Sequence, residues 1–522
     1  MAKDARKNKL NFKTEKGFQE SILKEKAKGT SDSEIGKKYG VTFRYIERLI
    51  THSHGLNVSN FKFVKKIKTL YPKKFKEEQT TVWSFKQRGN WATHSGEYRG
   101  NWSPYIPRNV ILKYSRPSEL VLDYFCGAGT TAVECKLLGR KCIGLDINGK
   151  AIELAKKNVD FKIESQQLTF DHKESQFEVY EPELKVGDAR DLSFLGDNSI
   201  DLICAHPPYA NIIHYTDSRE GDLSFFDIDD FLKEMSRVAR ESFRVLKPGR
   251  QCVILIGDTR RKKHVIPLGF KLINVYLNAG FKLRELVIKR QHNCKTTGFW
   301  YENSIKHNFL LLAHEYLPIF EKPKATEPLN IGERGVEYGV VIPGSEKPLL
   351  KKRLDQLETT TVWIFPAKDF EERLNKNVID RYSNGKGYST ITFISHNSRE
   401  SKFTGRGEKE KISLLFIKSP FLNNNTSYSR IENYLKEIKS IITQKLPNIN
   451  KDGFLVVQTQ DVRINGYIEP LAKRMLDMLT LDNLWLKEIV VVTQEGTNLN
   501  SINPPGYLKI AHQYLLVYEV RK

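Results

Sequence analysis

The stretch Val121-Leu-Asp-Tyr-Phe-Cys-Gly-Ala-Gly-Thr-Thr131 predicts how the chain around it folds. Residues 120–122 are apolar and predict a short strand, which ends at Asp123 and is followed by a turn with Gly127 and Gly129. A helix-like apolar run comes next. Glycines at a strand-to-helix turn let backbone N–H groups approach a ligand closely, because no Cβ stands in the way. The stretch therefore predicts an α/β domain with a ligand-binding turn.

A second motif, Asp201-Leu-Ile-Cys-Ala-His-Pro-Pro-Tyr209, is another apolar strand that runs into a turn. Its two prolines make the turn rigid and leave a carbonyl without a competing N–H. Between the two motifs, Asp146 and Asp188 each follow a predicted strand. Doubly wound sheets place such an acid on the ribose hydroxyl groups of a nucleotide. The ordered series of acids therefore predicts a nucleotide-type cofactor, with Asp146 on the ribose.

The two motifs together resemble the signatures of the S-adenosylmethionine-dependent DNA amino-methyltransferases. The first is similar to the Phe-x-Gly-x-Gly-Thr-Thr cofactor loop of that family, and the second to its (Asp/Asn/Ser)-Pro-Pro-Tyr catalytic loop. The resemblance implies a Rossmann-like doubly wound domain with S-adenosyl-L-methionine as cofactor. The implied cofactor-binding residues are Asp123, Phe125, Gly127, Gly129, Thr130, Thr131, Asp146, Ile147, Asp188 and Ala189. The implied catalytic residues are His206, Pro207, Pro208 and Tyr209. A looser resemblance suggests that the proline-containing segment 99–115 completes the cofactor pocket.

The chemistry implied by the resemblance is methylation of an exocyclic amine. Acceptors on the side chain at position 206 and on the Pro207 carbonyl would bind the amine hydrogens, while Tyr209 would stack on the base. A duplex hides the reacting nitrogen, so the target nucleotide must flip out of the stack. His206 stands where the family usually has Asp, Asn or Ser, and a neutral imidazole can still accept one hydrogen bond. Cytosine N4 and adenine N6 both remain open, with Ser419-Pro-Phe further along the chain slightly favouring cytosine.

The composition of the chain indicates which partners it binds and in which cellular compartment it works. The 522 residues carry a net charge of +22, which suits a polyanion because phosphate contacts dominate nucleic-acid affinity. No apolar run reaches the length of about 18 residues that a membrane span needs, and the N-terminus lacks a signal-peptide core. We therefore expect a cytoplasmic bacterial protein. The six cysteines form no C-x-x-C pair, so we expect buried free thiols and no metal site.

Two basic segments are candidates for nucleic-acid contact. Residues 29–50 predict a small helix-turn-helix, in which Ile35 and Tyr39 face a core and Gly40 ends the first helix. Arg44 and Arg48 of the next helix would then be free to meet the major groove of DNA. The run Arg260, Arg261, Lys262 and Lys263 after an apolar strand predicts a phosphate-facing loop, with a solvated charge run as the alternative.

The second half of the chain repeats the first in a reduced form. Thr360–Phe365 echoes Thr80–Phe85, Tyr434-Leu-Lys-Glu-Ile echoes Phe231-Leu-Lys-Glu-Met, and Ala511-His-Gln-Tyr-Leu echoes Ala313-His-Glu-Tyr-Leu. Residues 384–411 are too short for three strands and lack the glycine turn. We therefore predict an arm and helix-turn-helix in 1–55, a catalytic domain in 56–323, a linker in 324–350 and a degenerate methyltransferase-like α/β domain in 351–522. Such a chain would be a monomer with an internal pseudo-dimer, or a homodimer.

Three functions compete at this point. The first is a site-specific methyltransferase acting on double-stranded DNA, as the modification enzyme of a restriction system with a cognate restriction endonuclease. The second is an RNA or tRNA base methyltransferase, since Pro-Pro-Tyr loops also serve RNA amines. The third is a non-catalytic DNA-binding regulator, against which the intact 121–131 turn argues.

Overall fold

The computed structural model of the protein describes residues 15–27, 30, 32–41, 45, 46, 49, 67–95, 98, 100–163, 178–208, 227–261, 263–292, 298–324, 339–344, 354, 357–383, 387–394, 411–418, 427–495 and 506–521. Its strands are β1 (Val82–Ser84), β2 (Leu120–Asp123), β3 (Lys141–Asp146), β4 (Glu183–Val186), β5 (Ile200–Ala205), β6 (Leu246–Ile254), β7 (Thr259–Arg261), β8 (His264–Ile266), β9 (Lys282–Arg290), β10 (His314–Glu321), β11 (Gly339–Gly344), β12 (Val362–Phe365), β13 (Tyr388–Ile394), β14 (Ile412–Lys418), β15 (Ile449–Thr459), β16 (Val462–Ile464), β17 (Tyr467–Glu469), β18 (Leu484–Gln494) and β19 (His512–Val520). Its α-helices are α1 (Glu15–Ala27), α2 (Asp32–Tyr39), α3 (Tyr105–Tyr114), α4 (Thr130–Leu137), α5 (Gly149–Val159), α6 (Ile228–Val245), α7 (Leu268–Asn278), α8 (Gly298–His307), α9 (Phe370–Tyr382), α10 (Tyr428–Lys445) and α11 (Leu471–Met478).

The first half of the chain is built on an eight-stranded sheet in the order β1-β9-β10-β6-β5-β2-β3-β4. Strands β6, β5, β2, β3 and β4 are parallel, whereas β10 runs antiparallel to both of its neighbours. Successive residues of the central strands pack into two cores: Val121 and Leu202 belong to one, and Leu122 and Ile203 to the other. Both faces of the sheet are therefore covered, which explains the continuous apolar runs and agrees with the predicted doubly wound α/β fold.

The second half forms a seven-stranded sheet in the order β11-β13-β14-β15-β19-β18-β12. Read from the other end, β12, β18, β19, β15, β14 and β13 occupy the places of β1, β9, β10, β6, β5 and β2. The directions agree as well, because β19 is antiparallel to β15 and β18 while the other pairs among these strands are parallel. Among the described residues, β13 is the only strand between α9 and β14. Counterparts of β3 and β4 are therefore lacking in the part of the second half that the structure describes.

Two boundaries predicted from the sequence are corrected. The predicted linker 324–350 contains β11, which pairs antiparallel with β13 and so belongs to the second sheet. The Gly- and Pro-rich composition hid the apolar stretch 340–342 within it. Since proline suits the first position of a helix, the sequence predicts that α3 begins at Pro107 or Arg108, but the helix begins earlier, at Tyr105. Proline is accommodated there because the first turn of a helix contains N–H groups without an intrahelical partner.

The two halves meet in a pseudo-two-fold interface whose contacts are reciprocal. The Thr81 hydroxyl lies 2.8 Å from Nδ1 of His512, and the Thr361 hydroxyl lies 2.9 Å from Nδ1 of His314. Each of these histidines contacts a tyrosine hydroxyl of its own half through Nε2, at 2.9 and 3.0 Å. Burial lowers the pKa of both imidazoles, so both are neutral near pH 7. A contact made twice with the halves exchanged is the mark of an isologous interface, here within one chain.

A second reciprocal contact joins the halves by buried ion pairs. Arg260 of the hairpin β7–β8 lies 2.5 Å from Glu488, and Arg463 of the hairpin β16–β17 lies 2.5 Å from Glu285. Both carboxylates are almost completely buried, at 1 % and 0 % side-chain exposure. The symmetric geometry supports the predicted duplication of the chain independently of the sequence echoes.

The N-terminal helices form a small unit with a core of its own, and α2 also contacts α8 of the first half. Ile35 is completely buried and Tyr39 nearly so, and Gly40 ends α2 with a φ of 65°, as predicted. Phe18, which the sequence did not single out, is buried in this core, where its ring lies beside those of Tyr39 and Tyr45. None of the helices in the described segments is long and apolar enough to cross a membrane.

Candidate active site

The carboxyl ends of β2, β3, β4 and β5 meet at one edge of the first sheet, where they form a cleft. Parallel strands bring their carboxyl ends to the same edge, and doubly wound folds bind ligands there. The cleft is lined by Tyr98, Gly100, Asn101, Trp102, Tyr124, Phe125, Cys126, Gly127, Asp146, Ile147, Gly187, Asp188, Ala189, His206 and Pro208. The structure thus brings together eight of the fourteen residues that the sequence assigned to cofactor binding and catalysis, namely Phe125, Gly127, Asp146, Ile147, Asp188, Ala189, His206 and Pro208.

Asp146 organises the glycine turn from the end of β3. Its Oδ2 accepts a hydrogen bond from the Gly127 N–H at 2.9 Å, and its Oδ1 accepts one from the Asn148 N–H at 2.8 Å. Gly127 has a φ of 50°, and a Cβ added there would lie 3.2 Å from the Tyr98 ring. The turn therefore needs glycine at this position because a side chain would enter the cleft and meet the tyrosine.

Asp123 and Thr131 lie behind the turn and fix its shape. The Asp123 Oδ2 accepts from the Thr131 hydroxyl at 2.5 Å, and its Oδ1 accepts from the Phe125 N–H at 3.0 Å. Burial raises the pKa of Asp123 to about 7. Asp123 and Thr131 are not among the residues that line the cleft, and their hydrogen bonds are made to each other and to the turn, so they support the turn from behind.

Thr130 and Gly129 also stand behind the cleft. The Thr130 hydroxyl donates to Oδ1 of Asn101 at 3.0 Å and so ties α4 to the segment that forms the opposite wall. Gly129 has a φ of 81°, and a Cβ there would lie 3.0 Å from that of Ala155. Glycine at this position permits the close packing of the turn against α5.

Asp188 is held by an arginine two residues further along the chain. The Arg190 guanidinium contacts both carboxylate oxygens at 2.5 to 3.1 Å and also reaches Glu234 at 2.7 Å. Although burial raises the pKa of Asp188, its hydrogen bonds with Arg190 hold the value below the ordinary one. Asp188 is therefore a fixed negative charge at the far end of the cleft.

His206 stands at the end of β5 and stacks on Trp102, with ring centroids 5.6 Å apart and an interplanar angle of 19°. Burial lowers its pKa to about 4, against the opposing effects of Glu315 and of a hydrogen bond to the Gly100 backbone. That hydrogen bond raises the pKa, so the ring donates it to the Gly100 carbonyl. A neutral imidazole that donates through one nitrogen presents the other as an acceptor.

A second pocket lies on the other side of His206. It shares Gly100, Asn101, Trp102 and His206 with the cleft. The remaining lining residues are Phe85, Lys86, Arg88, Ser103, Pro207, Leu255, Lys289, Arg290, Gln291, His292 and Glu315. Pro207 thus faces this second pocket, whereas Tyr209 lies outside the described residues. The stacked pair His206 and Trp102 forms the wall between the two pockets.

Tyr98 and residues 100–102 form one wall of the cleft, in partial agreement with the looser prediction for segment 99–115. Arg88 holds this wall, because its guanidinium donates to the carbonyl groups of Asn101 and Trp102 at 2.7 and 2.9 Å. Tyr98 and Arg88 belong to no motif that the sequence displays. The aromatic and glycine-containing run before α3 was the available signal, but nothing local shows that it folds back over the turn.

A buried glutamate that the sequence did not single out holds the same region. The Glu134 carboxylate accepts from the Trp91 indole at 2.7 Å and from Arg108 at 3.0 Å, and it lies 2.7 Å from Nε2 of His94. Burial raises the pKa of Glu134, but Arg108 and His94 outweigh that effect and hold it below its ordinary value. This cluster connects α4, α3 and the residues before the cleft wall.

The predicted phosphate-facing run is corrected at Arg260. Its guanidinium is used inside the chain, where it contacts Glu488 and the Leu310 carbonyl, and its side chain is only 12 % exposed. Arg261 and Lys263 are exposed on the same hairpin. The other predicted nucleic-acid contacts, Arg44, Arg48 and Lys262, lie outside the described residues.

The five cysteines within the described residues are buried free thiols, as expected.

Comparisons with known proteins cover most of the chain. A family model for N6/N4 DNA methylases matches residues 4–157 and 200–409, more than half of the chain, and a model for a methyltransferase domain matches residues 116–266. Type II methyltransferase M.SmaI of Serratia marcescens is 35 % identical over 88 residues, which are 17 % of this chain and 29 % of that protein. Type II methyltransferase M.MthZI of Methanothermobacter thermautotrophicus is 28 % identical over 150 residues, 25 % of this chain and 42 % of that protein. The chain thus spans less than half the length of these relatives.

Other matches include an RNA enzyme and solved structures. A tRNA (guanine(10)-N2)-dimethyltransferase of Methanothermobacter thermautotrophicus is 30 % identical over 113 residues, 22 % of this chain and 29 % of that protein. A S-adenosylmethionine-dependent methyltransferase of Methanosarcina mazei aligns with 41 % of this chain and 97 % of its own, at 19 % identity and a TM-score of 0.28. A putative DNA modification methylase of Thermus thermophilus, complexed with S-adenosyl-L-methionine, aligns with 28 % of this chain and 55 % of its own, at 29 % identity and a TM-score of 0.20. With the family model matched over both motifs, the chain belongs to the N6/N4 DNA methylases, a family of S-adenosylmethionine-dependent methyltransferases.

Proposed function

We propose that the chain methylates an exocyclic amino group, cytosine N4 or adenine N6, at a specific site in double-stranded DNA. The observation that carries the proposal is the position of His206 in the wall between the cofactor cleft and the second pocket. A base that enters the second pocket would bring its amino group to this wall. The base must leave the duplex to do so, and base-modifying enzymes achieve this by flipping the nucleotide.

The residues of the cleft fit the proposed cofactor. A carboxylate at the end of β3, Asp146, suits the ribose hydroxyl groups, and the fixed charge of Asp188 suits the adenine amino group. Phe125, Ile147 and Ala189 supply apolar surface for the adenine ring. S-Adenosylmethionine, when bound, supplies an electrophilic methyl group. Because Gly127 has no side chain, the turn leaves room for this cofactor in the cleft.

The chain itself supplies positioning and hydrogen-bond acceptors. The lone pair of an exocyclic amine is conjugated into the ring, so the nitrogen is a poor nucleophile until its hydrogens are held out of the ring plane. We assign this to the unprotonated ring nitrogen of His206 and to the Pro207 carbonyl, with Tyr209 stacked on the base. Correct placement alone can supply a large part of the rate enhancement.

His206 gives a pH prediction. Because burial lowers the pKa of His206 to about 4, the imidazole stays neutral from about pH 8 down to about pH 6. A histidine with the ordinary pKa would become protonated as the pH falls through this range and lose its acceptor, so the transfer rate would decrease. For this protein we expect no such decrease. His206→Ala should lower kcat by roughly 10²- to 10³-fold, the usual cost of one preorganised hydrogen-bonding group. His206→Asn, the residue type of many relatives, should retain activity. A pH–rate profile at saturating substrate checks this, and an inflection near the ordinary histidine pKa would contradict it.

Asp146 gives a prediction for the cofactor. Asp146→Asn retains the shape but removes the charge and one acceptor, so the dissociation constant of S-adenosylmethionine should rise by roughly 10- to 100-fold. Isothermal titration calorimetry measures this change. Glu153→Ala, an exposed change on α5, serves as the control and should leave the constant unchanged. Equal affinities in wild type and Asp146→Asn would remove Asp146 from the site.

The remaining parts of the chain receive proposed roles from position and charge. The N-terminal helices, as a helix-turn-helix with Arg44 and Arg48, would contact DNA. The basic run would do so through the exposed Arg261 and Lys263, together with Lys262. The second half would be a degenerate, non-catalytic copy that completes an internal pseudo-dimer in a monomeric protein. We further propose a bacterial cytoplasmic modification enzyme with a cognate restriction endonuclease, in line with the type II names of the relatives.

A second candidate is methylation of an amine in RNA, which the match to a tRNA dimethyltransferase favours. One assay separates the two candidates. Labelled S-adenosylmethionine is offered with mixed-sequence duplex DNA or with total tRNA, and the methylated nucleosides are identified by mass spectrometry. N4-methylcytosine or N6-methyladenine in DNA, absent with Pro208→Ala, would establish the first function. Label in tRNA alone would establish the second, and cofactor binding without any transfer would favour a regulator.

A further inference from the structure

The floor of the second pocket carries an ion pair that the mechanism above does not use. Lys289 on β9 and Glu315 on β10 face each other in register, with Nζ 2.7 Å from the carboxylate. Their side chains are largely buried, at 18 % and 9 % exposure. Both line the same pocket as His206, and both shift the pKa of His206, Glu315 upward and Lys289 downward. The pair therefore lies within electrostatic reach of the proposed amine site.

The second half of the chain shows that the fold does not need this pair. The pseudo-two-fold places Val492 where the first half has Lys289 and Gln513 where it has Glu315, since these two residues face each other in the same register on β18 and β19. There Gln513 is satisfied by a neutral hydrogen bond of 2.9 Å to Gln458. Burying an ion pair costs desolvation energy that neutral residues of similar size avoid.

Other buried polar contacts, by contrast, occur in both halves. The interface pairs Arg260–Glu488 and Arg463–Glu285 are equivalent contacts of the two halves, and so are the hydrogen bonds between the histidines and the tyrosine hydroxyls. The contacts that join the two halves are thus duplicated, whereas the Lys289–Glu315 pair is present only in the half with the cofactor cleft. This distribution assigns that pair to a ligand.

We propose that Lys289 and Glu315 read the edge of the flipped base that carries its amino group. Cytosine and adenine share the arrangement of an amine next to an unprotonated ring nitrogen, N3 or N1 respectively. The Glu315 carboxylate would share one amine hydrogen with the Pro207 carbonyl in a three-centre hydrogen bond, while His206 accepts the other, and the Lys289 ammonium would donate to the ring nitrogen. Guanine and thymine present a carbonyl oxygen where cytosine and adenine have the amine, and an N–H where they have the unprotonated ring nitrogen. Glu315 would then face the carbonyl and Lys289 would face the N–H, and both contacts are repulsive. This inference rests on the proposed function and adds the residues that select the base.

A protein–substrate double-mutant cycle tests the inference. After the methylated base is mapped with wild-type protein, that base is replaced in a synthetic duplex by 3-deazacytosine or 1-deazaadenine, which keep the amine but lack the ring nitrogen. Wild type should lose about tenfold or more in kcat/KM on the deaza substrate, the range of one good base contact. For Lys289→Met, kcat/KM on the normal base should be lower than that of wild type by a similar factor. Replacing the normal base by the deaza base should then lower kcat/KM of this variant by less than about a further twofold, because the lysine donor is already absent.

Glu315→Gln completes the test. It should lower kcat/KM for DNA by about tenfold while the dissociation constant of S-adenosylmethionine stays unchanged. The matched control is Glu321→Gln on the same strand, whose carboxylate pairs with Arg284 of β9 at 2.7 Å, away from the pocket. If a single variant folds poorly, the double variant Lys289→Val/Glu315→Gln, which installs the side chains present in the second half, replaces it.

The outcomes are distinguishable. Active wild type together with a Lys289→Met protein that still discriminates against the deaza base, or a Glu315→Gln protein that behaves like Glu321→Gln, would overturn this inference and leave the proposed function intact. Wild type that methylates neither base in DNA would overturn the proposed function, and this inference with it.

Discussion

Replacing Glu488 by alanine should lower the free energy of unfolding by about 3–5 kcal/mol, the usual result of leaving one member of a buried ion pair without its partner. Glu488 accepts from Arg260 and also from the Leu310 N–H at 3.0 Å. Its pseudo-symmetric equivalent, Glu285, accepts from Arg463 and from the Leu508 N–H at 3.1 Å. Because the two environments are so similar, Glu285→Ala should cost about as much as Glu488→Ala.

Urea-induced unfolding followed by fluorescence and by circular dichroism measures both values. We also expect the two probes to separate in the variants, since a weakened interface lets the halves unfold independently. Glu183→Ala is the control, because its ion pair with Lys185 is exposed on both sides and such pairs contribute less than about 1 kcal/mol. A loss below about 1 kcal/mol in either interface variant would show that the pseudo-two-fold contact does not hold the halves together.

Glu134→Ala should have an effect of similar size, about 3–5 kcal/mol, for the same reason. The change would leave the buried Arg108 guanidinium without its carboxylate and the Trp91 indole without its acceptor. It should also weaken cofactor binding, because the cluster joins α4 to the segment that leads into the cleft wall. Thermal unfolding and calorimetric titration of S-adenosylmethionine measure the two consequences.

The controls for Glu134 separate charge from volume. Glu134→Gln keeps an acceptor for Trp91 and should be less destabilising than alanine, although Arg108 still loses its counter-charge. Glu153→Ala, exposed on α5, should change neither quantity. A Glu134→Ala protein with wild-type stability would mean that Arg108 finds another partner, and the proposed link between this cluster and the cleft would be wrong.

The two motifs around Gly127 and Pro208 determined the family, and residues of both line one cleft, the proposed cofactor site. The sequence repeats predicted the duplication. The motifs are visible in the sequence because they depend on local chemistry, and the duplication is visible because similar stretches recur in the same order. Glycine at a turn, an acid at the end of a strand and proline in a rigid loop are each required by the backbone at their own position. Eight of the residues assigned in this way lie in the cleft wall.

The tertiary structure decided which charged side chains are used inside the protein. Arg260 belongs to a basic run in the sequence, yet its partner Glu488 lies 228 positions away. Asp123 follows a strand as Asp146 does, yet it lies behind the turn that it supports and does not line the cleft. Glu134, Lys289 and Glu315 carry no motif, since burial and pairing arise only when distant strands and helices pack together. A charge acquires its role from what surrounds it in space, which local sequence patterns do not record.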